Sequence, residues 1–222
     1  IQVRAVDKAG NASAYAESGA YQFDNAVPTN PGAATVSPAS PSQNKQPSWA
    51  WAASSDDNPD KQWQSEVKEY DFSLTKNAES PVVHTVNASI VTWGPGADMD
   101  DGKYTVTVLA RDNAGNVSAR VPGEQYILDT TVPPNVGTIT GPTSPANVKQ
   151  PTWTWDAVDD GTWGSGIKHY EVQIKKGSDP FTNADPATVT GTSWTPNADL
   201  IDETYRIQVM AVDNVDLTSA EW

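Results

Sequence analysis

Tyr104-Thr105-Val106-Thr107-Val108-Leu109-Ala110-Arg111-Asp112-Asn113-Ala114-Gly115-Asn116 is the stretch that decides the fold. Tyr104, Val106, Val108 and Ala110 alternate with Thr105, Thr107 and Arg111, which puts apolar side chains on one side of an extended chain. Such a strand belongs to a sheet with one buried face. The Asp-x-Ala-Gly-Asn that follows is hairpin chemistry, because Gly or Asn accepts positive φ. The stretch also recurs. Tyr205-Arg206-Ile207-Gln208-Val209-Met210-Ala211-Val212-Asp213-Asn214 repeats it 101 positions later (205 − 104), and Val3 to Asn11 matches Val108 to Asn116 at an offset of 105 (108 − 3).

Working outward, Gln46-Pro47-Ser48-Trp49-Ala50-Trp51 returns as Gln150-Pro151-Thr152-Trp153-Thr154-Trp155. Trp63, Tyr70 and Trp93 return as Trp163, Tyr170 and Trp194, and the N-terminal offset holds through Tyr21/Tyr126, Asp24/Asp129 and Pro28/Pro133. A period near 100 is a domain-sized bead. The expected division is 1-27 as the C-terminal strands of a preceding repeat, 28-132 as a complete β-sandwich, and 133-222 as a second sandwich lacking its last strand.

Within each bead the segments are short and β-like. Tyr70, Phe72 and Leu74 alternate with Asp71 and Ser73, as Tyr170, Val172 and Ile174 do with Glu171 and Gln173. Six or seven such strands in about 100 residues specify an all-β Greek-key sandwich and exclude a doubly wound α/β fold. Trp49, Trp51, Tyr70, Trp93, Tyr104, Val106 and Val108, with Trp153, Trp155, Tyr170, Trp194, Tyr205, Ile207 and Val209, are expected to fill the cores. Tyr104 and Tyr205 each open their strand five positions after an apolar residue, which predicts a hydroxyl tied back to upstream backbone.

Charge narrows the partners. The 222 residues carry 14 Lys plus Arg against 28 Asp plus Glu, a net charge of −14. That sign repels phosphate backbones and anionic lipid, so no nucleic acid and no membrane insertion are expected. No apolar run reaches the roughly 18–20 residues needed for a span. Cysteine is absent, which removes disulfides, thiolate metal sites and thiol nucleophiles. Ile1-Gln2-Val3-Arg4-Ala5-Val6 reads as the middle of a strand, so a window on something longer is expected. The spare copy of a last strand at Tyr21-Gln22-Phe23 raises the question of strand donation, which pairing of residues 15–25 to neither bead would end.

Catalytic residues: none are expected. His84 and His169 fall at non-equivalent positions and outside any hydrolase elbow or zinc motif, so both read as surface histidines. Trp63 and Trp163 differ from the other tryptophans. Each lies in a long polar loop, either capping the end of the sandwich against the linker or offering a platform for a glycan or peptide ligand.

Acidic residues cluster where the chain enters each bead. At that pole of the first complete bead stand Asp56, Asp57, Asn58 and Asp60, with Asp112 and Asn116 from the hairpin and Asp24 and Asn25 from the incoming linker. The next bead has Asp156, Asp159, Asp160 and Asp213, with Asp129 in its linker. Calcium takes six to eight oxygen ligands, and this set is rich in oxygen. The same residues also make ordinary turns, and both readings stay open on sequence alone.

Gln-Pro-x-Trp-x-Trp, then Tyr70, then Tyr-x-Val-x-Val-x-Ala-x-Asp-x-Ala-Gly-Asn, then Leu128-Asp129-Thr130-Thr131-Val132-Pro133-Pro134, resembles the immunoglobulin-like tandem repeats of large bacterial surface adhesins, close in architecture to fibronectin type III modules. That resemblance covers essentially the whole chain and extends to adhesins of the RTX type, although no glycine-rich RTX nonapeptide is present. It implies secreted or cell-surface spacers, whose partners are the neighbouring repeats of the same chain and whose parent protein carries a distal binding domain. One departure stands out. Asp213-Asn214-Val215-Asp216-Leu217 replaces Asp112-Asn113-Ala114-Gly115-Asn116, altering one hairpin turn. The rival function is a carbohydrate- or peptide-binding module built on the long loops.

Overall fold

The computed structural model describes residues 1–57, 63–181 and 186–220. Fifteen strands follow one another: β1 (Gln2–Val3), β2 (Ala16–Glu17), β3 (Thr35–Ser37), β4 (Ser48–Ala50), β5 (Val67–Lys76), β6 (Val82–Asn87), β7 (Thr92–Trp93), β8 (Gly102–Asp112), β9 (Val121–Pro122), β10 (Tyr126–Leu128), β11 (Trp153–Thr154), β12 (Ile167–Lys176), β13 (Ala187–Val189), β14 (Ser193–Trp194) and β15 (Tyr205–Asp213). No helix occurs among the described residues.

Alternation in the sequence becomes register in the sheets. β5 and β8 pair antiparallel with Tyr70 opposite Ala110, Phe72 opposite Val108 and Leu74 opposite Val106. β12 and β15 repeat this with Tyr170 opposite Ala211, Val172 opposite Val209 and Ile174 opposite Ile207. In the first unit a sheet of order β10-β8-β5-β6, with β9 also on β8, packs on the sheet β3-β4-β7. In the second, β13-β12-β15 packs on β11-β14. The chain is a tandem of immunoglobulin-like, fibronectin type III-like β-sandwiches.

Aromatic rings join the layers. Trp49 lies 5.7 Å from Phe72 and Trp51 stacks on Phe72 at the same distance, centroid to centroid. Trp155 meets Tyr170 edge-on at 5.5 Å in the second core. Trp49, Trp51, Tyr70, Tyr104, Val106, Val108, Trp153, Trp155, Tyr170 and Val209 are buried as expected. Trp93, Trp194, Tyr205 and Ile207 are only half-buried. The two tryptophans sit on two-residue strands at a sheet edge.

Tyr104 donates its hydroxyl to the carbonyl of Asp100 at 2.6 Å, the tie to upstream backbone that its spacing predicts. Burial pushes this phenol up to about 12, with Asp100, Asp101 and Glu79 adding to it. The histidines are less open than expected. His84 packs its ring on Trp93 at 4.5 Å, and His169 lies half-buried 3.8 Å from Glu171.

Between β9 and β10, which both pair with β8, the chain also reaches the other layer. Gly123 donates its N–H to Val106 in one layer and Glu124 donates to Ala34 in the other. A Cβ at Gly123 would lie 2.7 Å from Val106 and 2.8 Å from Ala34, so glycine fits there and larger residues do not. In the second sandwich, Trp153, Lys149 and Tyr205, the counterparts of residues around β10, line an open groove of about 630 Å³. At the N-terminus β1 pairs with β2, while Tyr21 and Phe23 stay exposed. Among the described residues no strand of either sandwich pairs with Tyr21-Gln22-Phe23, which counts against strand donation between molecules.

Candidate metal centres at the joints

Asp24 leaves the linker and meets Asp56 and Asp112 of the sandwich that follows. Asp129 does the same with Asp160 and Asp213. In each trio one carboxylate oxygen per residue lies within 4.8 Å of the others. The trios are repeats of one another, at offsets of 105 (129 − 24), 104 (160 − 56) and 101 (213 − 112).

Local chain chemistry sets each carboxylate. Asp112 and Asp213 end β8 and β15 and hold the hairpin turn. Asp112 accepts the backbone N–H of Asn116 at 2.8 Å, and Asp213 accepts those of Val215 and Leu217 at 2.9 and 2.8 Å. The altered turn keeps its shape, with Asp216 at φ 65° where Gly115 has φ 98°. Asp24 accepts the N–H of Ser65 at 2.8 Å, and Asp129 that of Ser165 at 2.7 Å. Asn113 and Asn214 fasten the same loop by donating to the carbonyls of Ser65 and Ser165 at 2.7 and 2.8 Å. Linker, long loop and hairpin thus converge on each trio.

Electrostatics leaves the trios short of positive charge. At separations near 5 Å and an effective dielectric of about 20, each pair of ionised carboxylates repels by roughly 3 kcal/mol. Burial, followed by the charges of Asp24 and Asp112, holds the Asp56 carboxyl above the usual range. Burial likewise raises Asp160 and Asp213, with Asp129 contributing to both. Asp56 Oδ1, Asp160 Oδ1 and Asp213 Oδ2 are buried with no hydrogen-bond partner among the described residues. Asp56 is 7% exposed and Asp213 0%. Unpaired buried carboxylate oxygens, grouped among the described residues with other carboxylates alone, fit a hard, oxygen-preferring divalent ion such as Ca2+.

Of the acidic residues singled out from sequence, Asp24, Asp56, Asp112, Asp129, Asp160 and Asp213 come together. Asn116 joins the first trio as a hydrogen-bond donor, through Nδ2 to Asp112 Oδ2 at 2.8 Å. Asp57 and Asp156 are exposed and stand outside the trios. Asp159 is spent on its own turn, accepting the N–H of Gly161. Asn58 and Asp60 lie outside the described residues. Trp63 and Trp163 are 40% and 42% exposed, far more open than the core tryptophans.

Sequence reasoning missed the brace behind the linker. Asp101 accepts the N–H and hydroxyl of Thr130 and the hydroxyl of Thr131. Its counterpart in the second bead is Asp202, and turn aspartates such as these carry no mark in the sequence of what they brace. Gln43 was missed too; it donates to the carbonyl of Val215 in the next sandwich at 2.6 Å.

No protein-family model and no curated protein sequence matches the chain. Solved structures do. A two-domain fibronectin type III segment of chicken tenascin is 12% identical, with a TM-score of 0.36, over 86% of this chain and 95% of that one. The FN1–FN3 domains of chicken CNTN1 are 16% identical, with a TM-score of 0.42, over 99% of this chain and 72% of that one. The likeness is one of fold. The strand order and registers described above carry that assignment.

Proposed function

We propose that this chain is a run of spacer, or extender, modules from a large bacterial cell-surface adhesin, holding a distal binding domain away from the cell. The observation that supports this reading is the repeated joint. In both places a linker aspartate is seated between two acidic residues of the following sandwich. Ca2+ at each trio replaces carboxylate repulsion with attraction and fixes the angle between beads. Pro133 and Pro134 stiffen the same linker. The net charge of −14 keeps neighbouring fibres apart and extended. Scattering and melting curves test the reading. Millimolar Ca2+ should lengthen the particle and raise its melting temperature, and Asp129→Ala should blunt both; no change in either would defeat it.

Trp63 and Trp163 favour a second reading, a carbohydrate- or peptide-binding module, because their rings are solvent-facing in long loops. Binding of glycans or peptides that Trp63→Ala and Trp163→Ala abolish would select it over the spacer.

A further inference from the structure

Among the differences between the three copies of the hairpin turn, one falls on the side chain that bonds the leading aspartate, at Asn11, Asn116 and Leu217. Asn11 gives its backbone N–H to Asp7 Oδ1 and its side-chain amide to Asp7 Oδ2, both at 2.8 Å. Asn116 treats Asp112 in the same way, again at 2.8 Å for both bonds. Its amide also reaches the carbonyl of Asp24 at 3.3 Å, tying the incoming linker to the hairpin. The third copy has Leu217. Its backbone N–H still serves Asp213 Oδ1, but a leucine side chain offers Oδ2 nothing. Asp213 is completely buried and its Oδ2 has no partner among the described residues.

The two joints therefore hold their negative charge differently. In the first, an amide occupies one oxygen of the hairpin carboxylate, leaving Asp56 Oδ1 as the unpaired buried oxygen of that trio. In the second, Asp160 Oδ1 and Asp213 Oδ2 are both unpaired. Removing one partner from a buried carboxylate exposes the full cost of its desolvation.

We infer that position 116/217 sets how strongly each joint depends on a divalent cation, with Asn116 making the first joint self-sufficient and Leu217 making the second cation-dependent. The inference rests on the reading that Ca2+ occupies these trios. Two effects act in the same direction. The amide stabilises the first joint without metal, so an ion gains less by binding there. Asp213 presents a bare buried oxygen that an ion can take up, so an ion gains more at the second joint. The array is then a chain of unequal hinges: as Ca2+ falls, the second joint loosens at a level where the first still holds.

Calorimetric titration of CaCl2 into the metal-free chain tests this. Two classes of site are expected, differing at least about tenfold in affinity, the size of a hydrogen bond to a charged group. Asp129→Ala should remove the tighter class and Asp24→Ala the weaker one. Leu217→Asn should weaken the tight class about tenfold while raising the metal-free melting temperature. Asn116→Leu should tighten the weak class and lower that temperature, which keeps the test decisive if either exchange perturbs folding. Absence of Ca2+ binding at millimolar concentration would overturn the calcium reading and this inference together. Two classes of equal affinity, unmoved by Leu217→Asn and Asn116→Leu, would overturn the inference and leave the calcium reading standing.

Discussion

Asp129 and Ser165 are joined by a 2.7 Å hydrogen bond from the Ser165 backbone N–H to the Asp129 carboxylate. Asp129 follows the last strand of one sandwich and Ser165 belongs to the long loop of the next. Asp129 also donates its own N–H to Ser42 at 3.1 Å. One residue is thereby fastened to both beads. A linker held in this way transmits bending force through hydrogen bonds, whereas a free proline linker resists bending through its own stiffness alone.

Asp101→Ala should loosen the same joint from its other side. The Asp101 carboxylate receives three bonds from Thr130 and Thr131, and their loss should cost about 1–3 kcal/mol. Burial pushes this carboxyl up, but the bonds from Thr131 and Thr130 outweigh it, and the net shift is downward. A lowered folded-state value makes the brace fully effective above the ordinary 3.8 and loses it as pH falls through the lower value. Acid melting curves check this: the wild-type chain should lose stability there that Asp101→Asn has already lost.

Trp49→Ala and Trp153→Ala should differ although the residues are equivalent. Trp49 is fully buried, packed against Phe72, Trp93 and Tyr126, and its loss should cost about 3–5 kcal/mol. Trp153 stacks on Trp194 and borders the open groove, so water fills part of the space it vacates. Its loss should cost at least about 1 kcal/mol less. Denaturant unfolding of the two variants measures both.

Most of this architecture was legible because a repeated alternation fixes register. Once Tyr104, Val106 and Val108 share a face, the facing strand must present Tyr70, Phe72 and Leu74. The six aspartates that meet were all visible as repeats. Asp57, Asp156 and Asp159 were not separable from them, because turn aspartates and buried aspartates have the same spelling. What distinguishes Asp160 from Asp159 is one residue of backbone direction in an irregular loop, and no periodicity reports that. Half-burial of Trp93 and Trp194 was hidden for a related reason: strand pattern gives the face and says little about how far an edge is covered.

Glu66→Gly should stabilise the first sandwich. Glu66 has φ 64°, a left-handed conformation that disfavours a residue with a Cβ, and the equivalent position in the second sandwich is Gly166 at φ 85°. Relief of that strain exceeds the added freedom of glycine in the unfolded chain, so a gain of up to about 1 kcal/mol is expected. Thermal melts of the variant beside the wild type give the answer, and a destabilised variant would mean that the Glu66 side chain itself contributes.

Acid should strengthen the metal-free joints and weaken the calcium-loaded ones. Burial, with neighbouring carboxylates, raises Asp56, Asp160 and Asp213 above the ordinary 3.8. A raised folded-state value means that the native chain takes up a proton before the unfolded chain does. The resulting stabilisation is fully present below 3.8 and is lost as pH rises through the raised values. In metal-free buffer the melting temperature should therefore climb as pH is lowered from about 7 toward about 4, until lowered groups such as Asp101 begin to work against it. With millimolar Ca2+ the slope should reverse, because a proton and a divalent ion compete for the same oxygens and the ion favours the ionised trio. Melting curves across this range, with and without CaCl2, should cross. Parallel curves would show that the trios bind no ion and carry only the ordinary cost of crowded carboxylates.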